Sequence, residues 1–464
     1  MNNQWFQNIV DSIAVRGREL LGLDNDELTE QNIFSLCQQL LAGRGEASGI
    51  ALSQEILRLY EDMTKEEKLE FFQLLATEFE PDLKVMQTAM EHYQQSRSAD
   101  NLMALNNAVE APRQELFRRL NFAPHGTASL VALRADLLRV LKANPNLKSV
   151  DSDLKHLLTS WFNRGFLQLR SIDWQSPAHI LEKIINYESV HAIQGWNDLR
   201  RRLMKDRRCF AFFHHAIPDE PLIFIEVAFV QGLSNEVMSL IDPAAPMLDP
   251  AQADTAIFYS INNTQVGLRG ISFGNFLIKQ VLTELTHEFP RVKLSSTLSP
   301  LPGFAASVQS WLNAETENSE ESVFDKVIQR HSAALKELAT QYAIDNTQLD
   351  KTILKALLEN HLGEKDKVLS VILSELALMY LTQPVENGKL IDPVAMFHLS
   401  NGARLERLNS YADMSPHGLS SSYSVMANYL YDLNAVESNH EAFASKGKVM
   451  MSDELLKQFK QFNK

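Results

Sequence analysis

Hydrophobic residues in the first third of the chain recur at the spacing of a helix face. The clearest series are Leu69, Phe72, Leu75, Ala76 and Phe79, and Leu130, Leu133, Leu137, Leu138 and Leu141. A repeat of three to four residues is the period of an α-helix, and Thr64 with Glu67 matches the capping box that starts one. We therefore predict an all-α region over residues 1–165. It holds no cluster of chemistry-bearing residues, so its expected role is packing or oligomerisation.

The pattern changes after about residue 200 to short runs rich in β-branched and aromatic residues. Runs at 209–213, 222–230 and 255–261 predict strands. Pro218 to Pro221 predicts the turn between the first two, and so an antiparallel hairpin.

Further along, a glycine-containing loop, an apolar helix over 275–288 and a strand over 292–298 predict a crossover unit. Helical periodicity then returns and predicts a helical insertion over about 315–385. Strands are predicted again at 394–399 and 404–409. The expected fold class is α+β, with a helical N-terminal domain and a mixed α/β domain after it.

Composition limits the domain count and the partners. Chains as long as these 464 residues usually divide into domains, and we expect two, 1–165 and 166–464. Asp and Glu outnumber Lys and Arg by 58 to 44, and the formal charge of −14 repels a phosphate backbone, so no nucleic-acid partner is expected. No apolar run is long enough to span a membrane, so no membrane partner is expected either.

A basic segment stands out in this acidic chain, and the low cysteine content bears on the cellular compartment. The basic run consists of Arg200, Arg201, Arg202, Lys205, Arg207 and Arg208. It could bind a polyanionic small ligand or form a solvated charged face. The only two cysteines, Cys37 and Cys209, cannot form a multi-bridge framework, which favours a reducing, cytoplasmic location.

The loop Arg269 to Asn275 lies between a predicted strand and a predicted helix. Backbone amides and the positive helix end at such a place can receive a pyrophosphate, although an ordinary tight turn has the same features. Gly270 to Gly274 also matches the G-x-S-x-G elbow of a hydrolase, with Ser272 as the nucleophile. The polar loop before it argues against an elbow, which follows an apolar strand directly.

Three further segments carry candidate chemistry. Ser299 follows the second crossover strand in a proline-stiffened turn, where it could be reactive or could cap a helix. His398 lies in the predicted strand 394–399, where a histidine is commonly a core residue. Residues 415–431 predict a turn leading into a helix that carries Asn428 and Tyr431.

Taken in order along the chain, these motifs resemble the malonyl-CoA decarboxylase family. The residues that carry the resemblance are Trp161 to Leu167, Val190-His191, Trp196, Arg201-Arg202, Glu220 to Leu222, Phe258 to Ile261, Gly267 to Lys279, Leu298 to Phe304, Phe397 to Leu399, Asn401 to Ala403, Ala412-Asp413 and Met426 to Tyr429. The resemblance covers the chain from about residue 160 onward.

The resemblance implies a helical N-terminal domain and a catalytic domain of the GNAT acetyltransferase type. It implies that the CoA pyrophosphate binds the loop residues Arg269, Gly270, Ile271, Ser272, Phe273, Gly274 and Asn275. It also implies a catalytic pair, Ser299 as proton acceptor and His398 as proton donor, with Asn428 and Tyr431 as further pocket residues. The family implies a homo-tetramer, and neither metal nor organic cofactor.

The residue types fit the chemistry that the resemblance implies. Loss of carbon dioxide from malonyl-CoA leaves an enolate, which needs a donor near the thioester oxygen and an acid near the α-carbon. The ordinary histidine pKa near 6.5 would let His398 take and release a proton, while Ser299 orients the substrate and the histidine. A CoA-dependent acyltransferase, an acyl-CoA thioesterase and a binding protein built on an inactive site remain alternatives.

Overall fold

The computed structural model describes residues 12–16, 32–43, 45–271, 277–314, 322–383 and 392–462. The chain forms two compact units, which we call the helical unit and the sheet unit. The helical unit comprises Met1–Gln168, Phe212–Leu222 and Asn263–Gly274, and the sheet unit comprises Leu169–Ala211, Ile223–Asn262 and Asn275–Lys464. In the described part of the chain, no helix combines the length and apolar character needed to cross a membrane.

The described part of the helical unit before residue 162 is mainly α-helical. Its helices are α1 (12–16), α2 (Ile33–Leu41), α3 (Glu46–Asp62), α4 (Lys65–Thr77), α5 (Leu83–Gln95), α6 (Ala99–Val109), α7 (Pro112–Leu120), α8 (Gly126–Val140) and α9 (Lys148–Trp161). The predicted capping box is present: the Glu67 amide donates to the Thr64 hydroxyl at 3.2 Å, and the Thr64 amide donates to the Glu67 carboxylate at 2.7 Å. The helical N-terminal region is therefore confirmed.

The sheet unit begins with elements that the sequence did not reveal. They are β1 (Leu167–Ile172), α10 (Ala178–Tyr187) and α11 (Trp196–Arg202). β1 is the first strand in the order of the sheet, and most of its side chains are exposed or half-buried. An edge strand of this kind lacks the apolar run on which strand prediction depends.

The predicted strands are present, with one turn displaced. β2 (Arg207–His214) and β3 (Ile217–Val230) are joined at His215 and Ala216. The turn predicted at Pro218 to Pro221 is wrong, because both prolines lie inside β3. A proline removes only its own amide donor, so the early positions of a strand tolerate it.

The crossover unit is also confirmed. It consists of β4 (Thr255–Asn263), α13 (Leu277–Glu288) and β5 (Leu294–Thr297), with the short helix α12 (Met238–Ile241) before it. β4 and β5 are parallel, in register from Thr255 opposite Leu294 to Phe258 opposite Thr297. Leu298 continues the contact, since its amide donates to the Phe258 carbonyl at 3.1 Å.

The remaining elements complete a mixed sheet. They are β6 (Ser299–Pro300), α14 (Phe304–Asn313), α15 (Val323–Arg330), α16 (Ser332–Gln341), α17 (Asp350–Asn360), α18 (Lys367–Thr382), α19 (Pro393–Ser400), β7 (Arg404–Asn409), α20 (Pro416–Ser422), β8 (Met426–Tyr431), α21 (Val436–Lys446) and α22 (Asp453–Phe462). The strand order is β1-β2-β3-β4-β5-β8-β6, and β7 pairs with β8. The α+β class with a helical insertion is confirmed.

Two elements near the end of the chain differ from the prediction. The run predicted as a strand at 394–399 is helix α19, because Asp392 caps it and Pro393 opens it. The run Met426–Tyr431 was predicted as helix and is strand β8. Both segments are apolar without a clear period, and periodicity alone cannot separate a buried helix from a buried strand.

The basic run is largely an internal ion-pair cluster. Arg201 and Arg202 are each 1% exposed and Arg207 is 3% exposed. Arg201 pairs with Asp206 at 2.8 Å, and Arg202 pairs with Glu226 at 2.9 Å. A solvated face is therefore wrong for these three arginines, because all three are buried and each pairs with a carboxylate of the chain.

Candidate active site

His398 lies in the last turn of α19, and the start of that helix is anchored from two sides. The Asp392 carboxylate accepts from the amides of Val394 at 2.9 Å and Ala395 at 2.8 Å. Its other oxygen accepts from the Tyr380 hydroxyl of α18 at 3.0 Å. Asp392 is fully buried, and burial raises the pKa of its carboxyl. The helix that carries the imidazole is thus fixed to the helical insertion.

The same tyrosine also approaches the segment that carries Ser299. A Cβ added to Gly303 would lie 2.6 Å from the Tyr380 hydroxyl, so only glycine leaves room for it. Ser299 lies four residues earlier, on β6, opposite Ala427 of β8. Tyr380 therefore contacts both chain segments that supply the predicted catalytic pair.

The structure brings Ser299 and His398 into hydrogen-bonding distance. The Ser299 Oγ and the His398 Nε2 are 3.0 Å apart, and the two residues are 6% and 3% exposed. On the other side of the ring, the Tyr431 hydroxyl lies 2.8 Å from Nδ1. The ring of Tyr429 stacks on the imidazole, with centroids 4.7 Å apart and an interplanar angle of 24°. Tyr431, predicted as a pocket residue, therefore contacts the histidine directly.

The hydrogen bonds form a chain with one consistent direction. The Ser299 hydroxyl donates to the Thr297 Oγ1 at 2.9 Å, and that oxygen also accepts from the Tyr429 amide at 3.2 Å. With its only proton so used, Ser299 must accept from His398 Nε2. A neutral imidazole carries one N–H, so Nδ1 is the acceptor and the Tyr431 hydroxyl donates to it. We assign the Nε2–H tautomer from these partners.

Burial determines the charge of this chain of groups. It lowers the pKa of His398 to about 3 and raises the pKa of the Tyr431 hydroxyl well above its ordinary range. Imidazole and phenol are therefore both neutral at physiological pH. The expectation that His398 keeps a pKa near 6.5 is wrong, because removal from water penalises the charged imidazolium.

Asn428 supports the site from β8 but has no free polar group. Its amide nitrogen donates to the Thr297 carbonyl at 2.7 Å, and its amide oxygen accepts from Asn409 at 2.8 Å and from Arg407 at 3.2 Å. A register shift in β7 between Leu405 and Arg407 accompanies this layer. Asn428 thus holds the strand end before Ser299, and its contact with a substrate stays a prediction.

Several residues of this arrangement were not found from the sequence. Thr297 and Tyr429 lie in segments already singled out, but nothing marked them as partners of Ser299 and His398. The Asp392-Pro393 pair was a recognisable helix start that would have placed His398 on a helix. Tyr380 had no sequence signal, since it lies in the long apolar run of α18.

The predicted CoA loop is only partly described. Gly267 and Leu268 are buried, and Gly270 has a positive φ of +75°. Ser272, Phe273, Gly274 and Asn275 lie outside the described residues. Phosphate binding by this loop, and the alternative of a nucleophilic Ser272, therefore stay predictions.

Comparison with known protein families assigns this chain to a family. Residues 165–464 match the family model described as malonyl-CoA decarboxylase C-terminal domain, and residues 79–162 match the model of its N-terminal domain. The chain belongs to the malonyl-CoA decarboxylase family. Both the helical region and the mixed α/β region are thus parts of one family architecture.

Curated and solved members of the malonyl-CoA decarboxylase family resemble this chain over most of its length. The protein named malonyl-CoA decarboxylase, mitochondrial, of Anser anser anser is 33% identical over 98% of this chain and 92% of its own. The protein of the same name from Rattus norvegicus is 33% identical over 80% of this chain and 76% of its own.

Solved malonyl-CoA decarboxylase structures have the same fold. The crystal structure from Rhodopseudomonas palustris matches with a TM-score of 0.81 at 44% identity, over 92% of this chain and 98% of that one. The structure from Agrobacterium vitis matches with a TM-score of 0.79 at 42% identity, over 92% and 99%.

Proposed function

We propose that this protein is a carboxy-lyase that converts malonyl-CoA to acetyl-CoA and carbon dioxide. The observation that carries the proposal is the buried neutral chain from Tyr431 through His398 and Ser299 to Thr297, in a member of the malonyl-CoA decarboxylase family. The reaction as proposed uses side chains alone and calls on no metal or organic cofactor.

The bond changes define what the site must supply. The bond between the α-carbon and the carboxylate carbon breaks, carbon dioxide leaves, and its electron pair becomes a thioester enolate. A proton then adds to the α-carbon and gives acetyl-CoA. An apolar site favours the step because the carboxylate charge is lost with carbon dioxide, and hydrogen-bond donors stabilise the enolate charge as it forms.

In this proposal His398 is the proton donor and Ser299 orients both the substrate and the imidazole. Because burial lowers the pKa of His398 to about 3, the donor is the Nε2–H of a neutral ring. A neutral histidine is known to act as such an electrophile when its environment disfavours the imidazolium. The Tyr431 O–H bond to Nδ1 stabilises the negative charge that the ring gains as it gives up the proton. Solvent restores that proton after product release.

The same hydrogen bonds argue against a thioesterase or an acyltransferase that uses Ser299 as nucleophile. Such an enzyme needs Nε2 as a base that takes the serine proton. Here Nε2 carries the proton, and the Ser299 hydroxyl donates to Thr297. A histidine whose pKa is lowered to about 3 is also a weak base.

The experiment is a product analysis in heavy water. Purified protein is mixed with malonyl-CoA and a chelator in D2O, and the products are identified by mass. Decarboxylation predicts acetyl-CoA with one deuterium in the methyl group, together with carbon dioxide. Free CoA and malonate would instead indicate hydrolysis. Unchanged malonyl-CoA that still raises the melting temperature would indicate a binding protein.

We also propose that the chain forms the homo-tetramer implied by its family resemblance, through the helical unit. Support comes from α5 and α6, whose large exposed apolar side chains are Leu83, Val85, Met90, Leu102, Met103 and Val109. Exposed apolar surface of this kind is typical of protein interfaces. Light scattering tests it: the tetramer mass is expected for the wild type, and a smaller species for the variant Leu83→Glu with Met103→Glu. A cytoplasmic location stays a prediction.

A further inference from the structure

Arg134 of α8 holds the backbone at the start of the predicted CoA loop. Its guanidinium is 2% exposed and donates to the carbonyls of Gly267 at 2.6 Å and Arg269 at 3.0 Å. Its Nε donates to the Asp151 carboxylate of α9 at 2.8 Å. Two helices of the helical unit therefore fix where this loop begins.

The packing around Gly267 leaves that position little freedom. A Cβ on Gly267 would collide with the backbone carbonyl of Val131 in α8. The neighbouring Leu268 is 3% exposed. The start of the loop therefore packs directly against the backbone of α8.

Lys155 of α9 lies close to this loop. It follows Asp151 by one helical turn and so lies on the same face of α9. Its Nζ lies 3.3 Å from the position that a Cβ on Gly270 would occupy. Gly270 also has a φ of +75°, a backbone conformation that favours glycine. The ammonium of Lys155 therefore lies beside Gly270, which is exposed.

Two cationic side chains of the helical unit carry charge at the start of this loop, Lys155 and Arg269. Lys155 is half-buried, Arg269 is exposed, and within the described residues no carboxylate pairs with either of them. Elsewhere in the helical unit, half-buried Lys68 pairs with Asp136 at 3.0 Å, and Arg134 pairs with Asp151. With a formal net charge of −14, this chain has carboxylates in excess. In the described part of the chain, the charges of Lys155 and Arg269 are thus left to pair with an anion from outside the chain.

We propose that Lys155 binds a phosphate group of CoA and that Arg134 is the positioning residue that fixes the loop backbone beside it. The inference rests on the proposed function in taking CoA as the ligand, and on the prediction that the loop beginning at Arg269 receives its phosphates. It gives the helical unit a part in substrate binding, in addition to packing or oligomerisation. Lys155 contributes to the affinity for CoA and takes no part in the decarboxylation step.

The test measures CoA binding directly, so that it does not depend on turnover. Calorimetric titration with CoA compares the wild type, Lys155→Gln, Lys155→Arg and the matched control Lys148→Gln, an exposed lysine on the first turn of the same helix. We expect Lys155→Gln to raise the Kd by roughly three- to fivefold, the range of a partly exposed ion pair, and to weaken its salt dependence. Lys155→Arg should restore most of the affinity, and Lys148→Gln should leave it unchanged.

Two ligand analogues identify which phosphate is involved. If the 3′-phosphate is bound, 3′-dephospho-CoA binds the wild type and Lys155→Gln equally. If the diphosphate is bound, the difference persists with 3′-dephospho-CoA and disappears with pantetheine. An equal loss with pantetheine would mean that Lys155 is only structural and would overturn the proposal, as would an unchanged Kd for CoA.

The outcomes also separate this inference from the proposed function. If the protein binds CoA through Lys155 but leaves malonyl-CoA intact, this inference is supported and the proposed decarboxylase function is contradicted. If the wild type and Lys155→Gln decarboxylate malonyl-CoA with the same KM, the proposed function is supported and this inference is contradicted. Absence of any CoA binding by the wild type would overturn both.

Discussion

The sheet unit contains two buried polar groups of residues that differ in charge. The ion-pair cluster consists of Arg201, Arg202, Arg207, Asp198, Asp206 and Glu226, and every arginine in it meets a carboxylate within 3.0 Å. The second group, Tyr431, His398, Ser299 and Thr297, is neutral and linked by single hydrogen bonds. The first has its charges matched within the chain. The second keeps a titratable ring in a position where its proton can be used.

This difference helps to distinguish buried polar residues with a structural role from candidate catalytic residues. Removing one member of a buried ion pair is strongly destabilising, because it leaves the other charge buried without a partner. Burial shifts a pKa in both groups, raising that of Glu226 to about 8 and lowering that of His398 to about 3. Glu226 pairs with a charged arginine, whereas the imidazole is hydrogen-bonded to the neutral hydroxyls of Ser299 and Tyr431. In this chain we assign the ion-pair cluster a structural role and take the uncharged group as the candidate active site.

The largest effect is expected from breaking the ion-pair cluster. Arg202→Met leaves the carboxylates of Asp198 and Glu226 buried without their partner, and removal of one member of a buried pair costs about 3–5 kcal/mol. We expect the free energy of unfolding to fall by that amount in urea titrations, with kcat of the folded fraction kept. The control Arg200→Met removes an exposed arginine next along the helix and should change stability by less than about 1 kcal/mol.

Ser299→Ala should have the opposite signature. We expect kcat for malonyl-CoA to fall by on the order of 10² or more, while the CoA Kd and the urea midpoint stay near the wild type. Ser296→Ala is the matched control, since Ser296 is a fully buried serine on β5 that bonds to the Tyr429 carbonyl. Equal losses of turnover in both variants would assign Ser299 a structural role. The same assay applied to His398→Ala should give a loss of similar size.

Tyr431→Phe should sharpen the contrast within the neutral group. It removes the hydrogen bond to Nδ1 and frees the ring to adopt either tautomer. We expect kcat to fall roughly tenfold, as for the loss of one hydrogen bond near the reacting group, with KM unchanged. A measurable rise in hydrolysis to free CoA would further show that the tyrosine keeps Ser299 from acting as a nucleophile. Turnover equal to the wild type would remove Tyr431 from the mechanism.

The last expected effect is a pH dependence of stability, which is spread over several pH units. His398 has a pKa of about 3 in the folded protein and about 6.5 when unfolded, so the unfolded chain binds more protons between these values. Stability attributable to this residue therefore falls as the pH drops through that window, by at most about 1.4 kcal/mol per unit. Urea titrations at several values between pH 4 and 6 should show a shallower slope for His398→Gln than for the wild type. Parallel slopes would mean that the imidazole titrates normally.

Sequence patterns predicted most elements of this fold but misassigned α19 and β8. The capping box at Thr64, the crossover from β4 to β5 and the strand β7 follow from local signals. The elements that frame the candidate site, α19 and β8, are apolar on all sides, so their period carries no information. The partners of His398 could not be found from spacing, because Tyr431 and Ser299 reach it only through tertiary packing.

The long separation of the pair also has a kinetic consequence. Ser299 and His398 lie 99 residues apart along the chain, and the segments between and after them must be placed before the two side chains meet. Closing such a distant contact is slow relative to forming local helices. During refolding from urea, far-ultraviolet circular dichroism should therefore recover ahead of enzymatic turnover, and the lag between the two signals would time the assembly of the site.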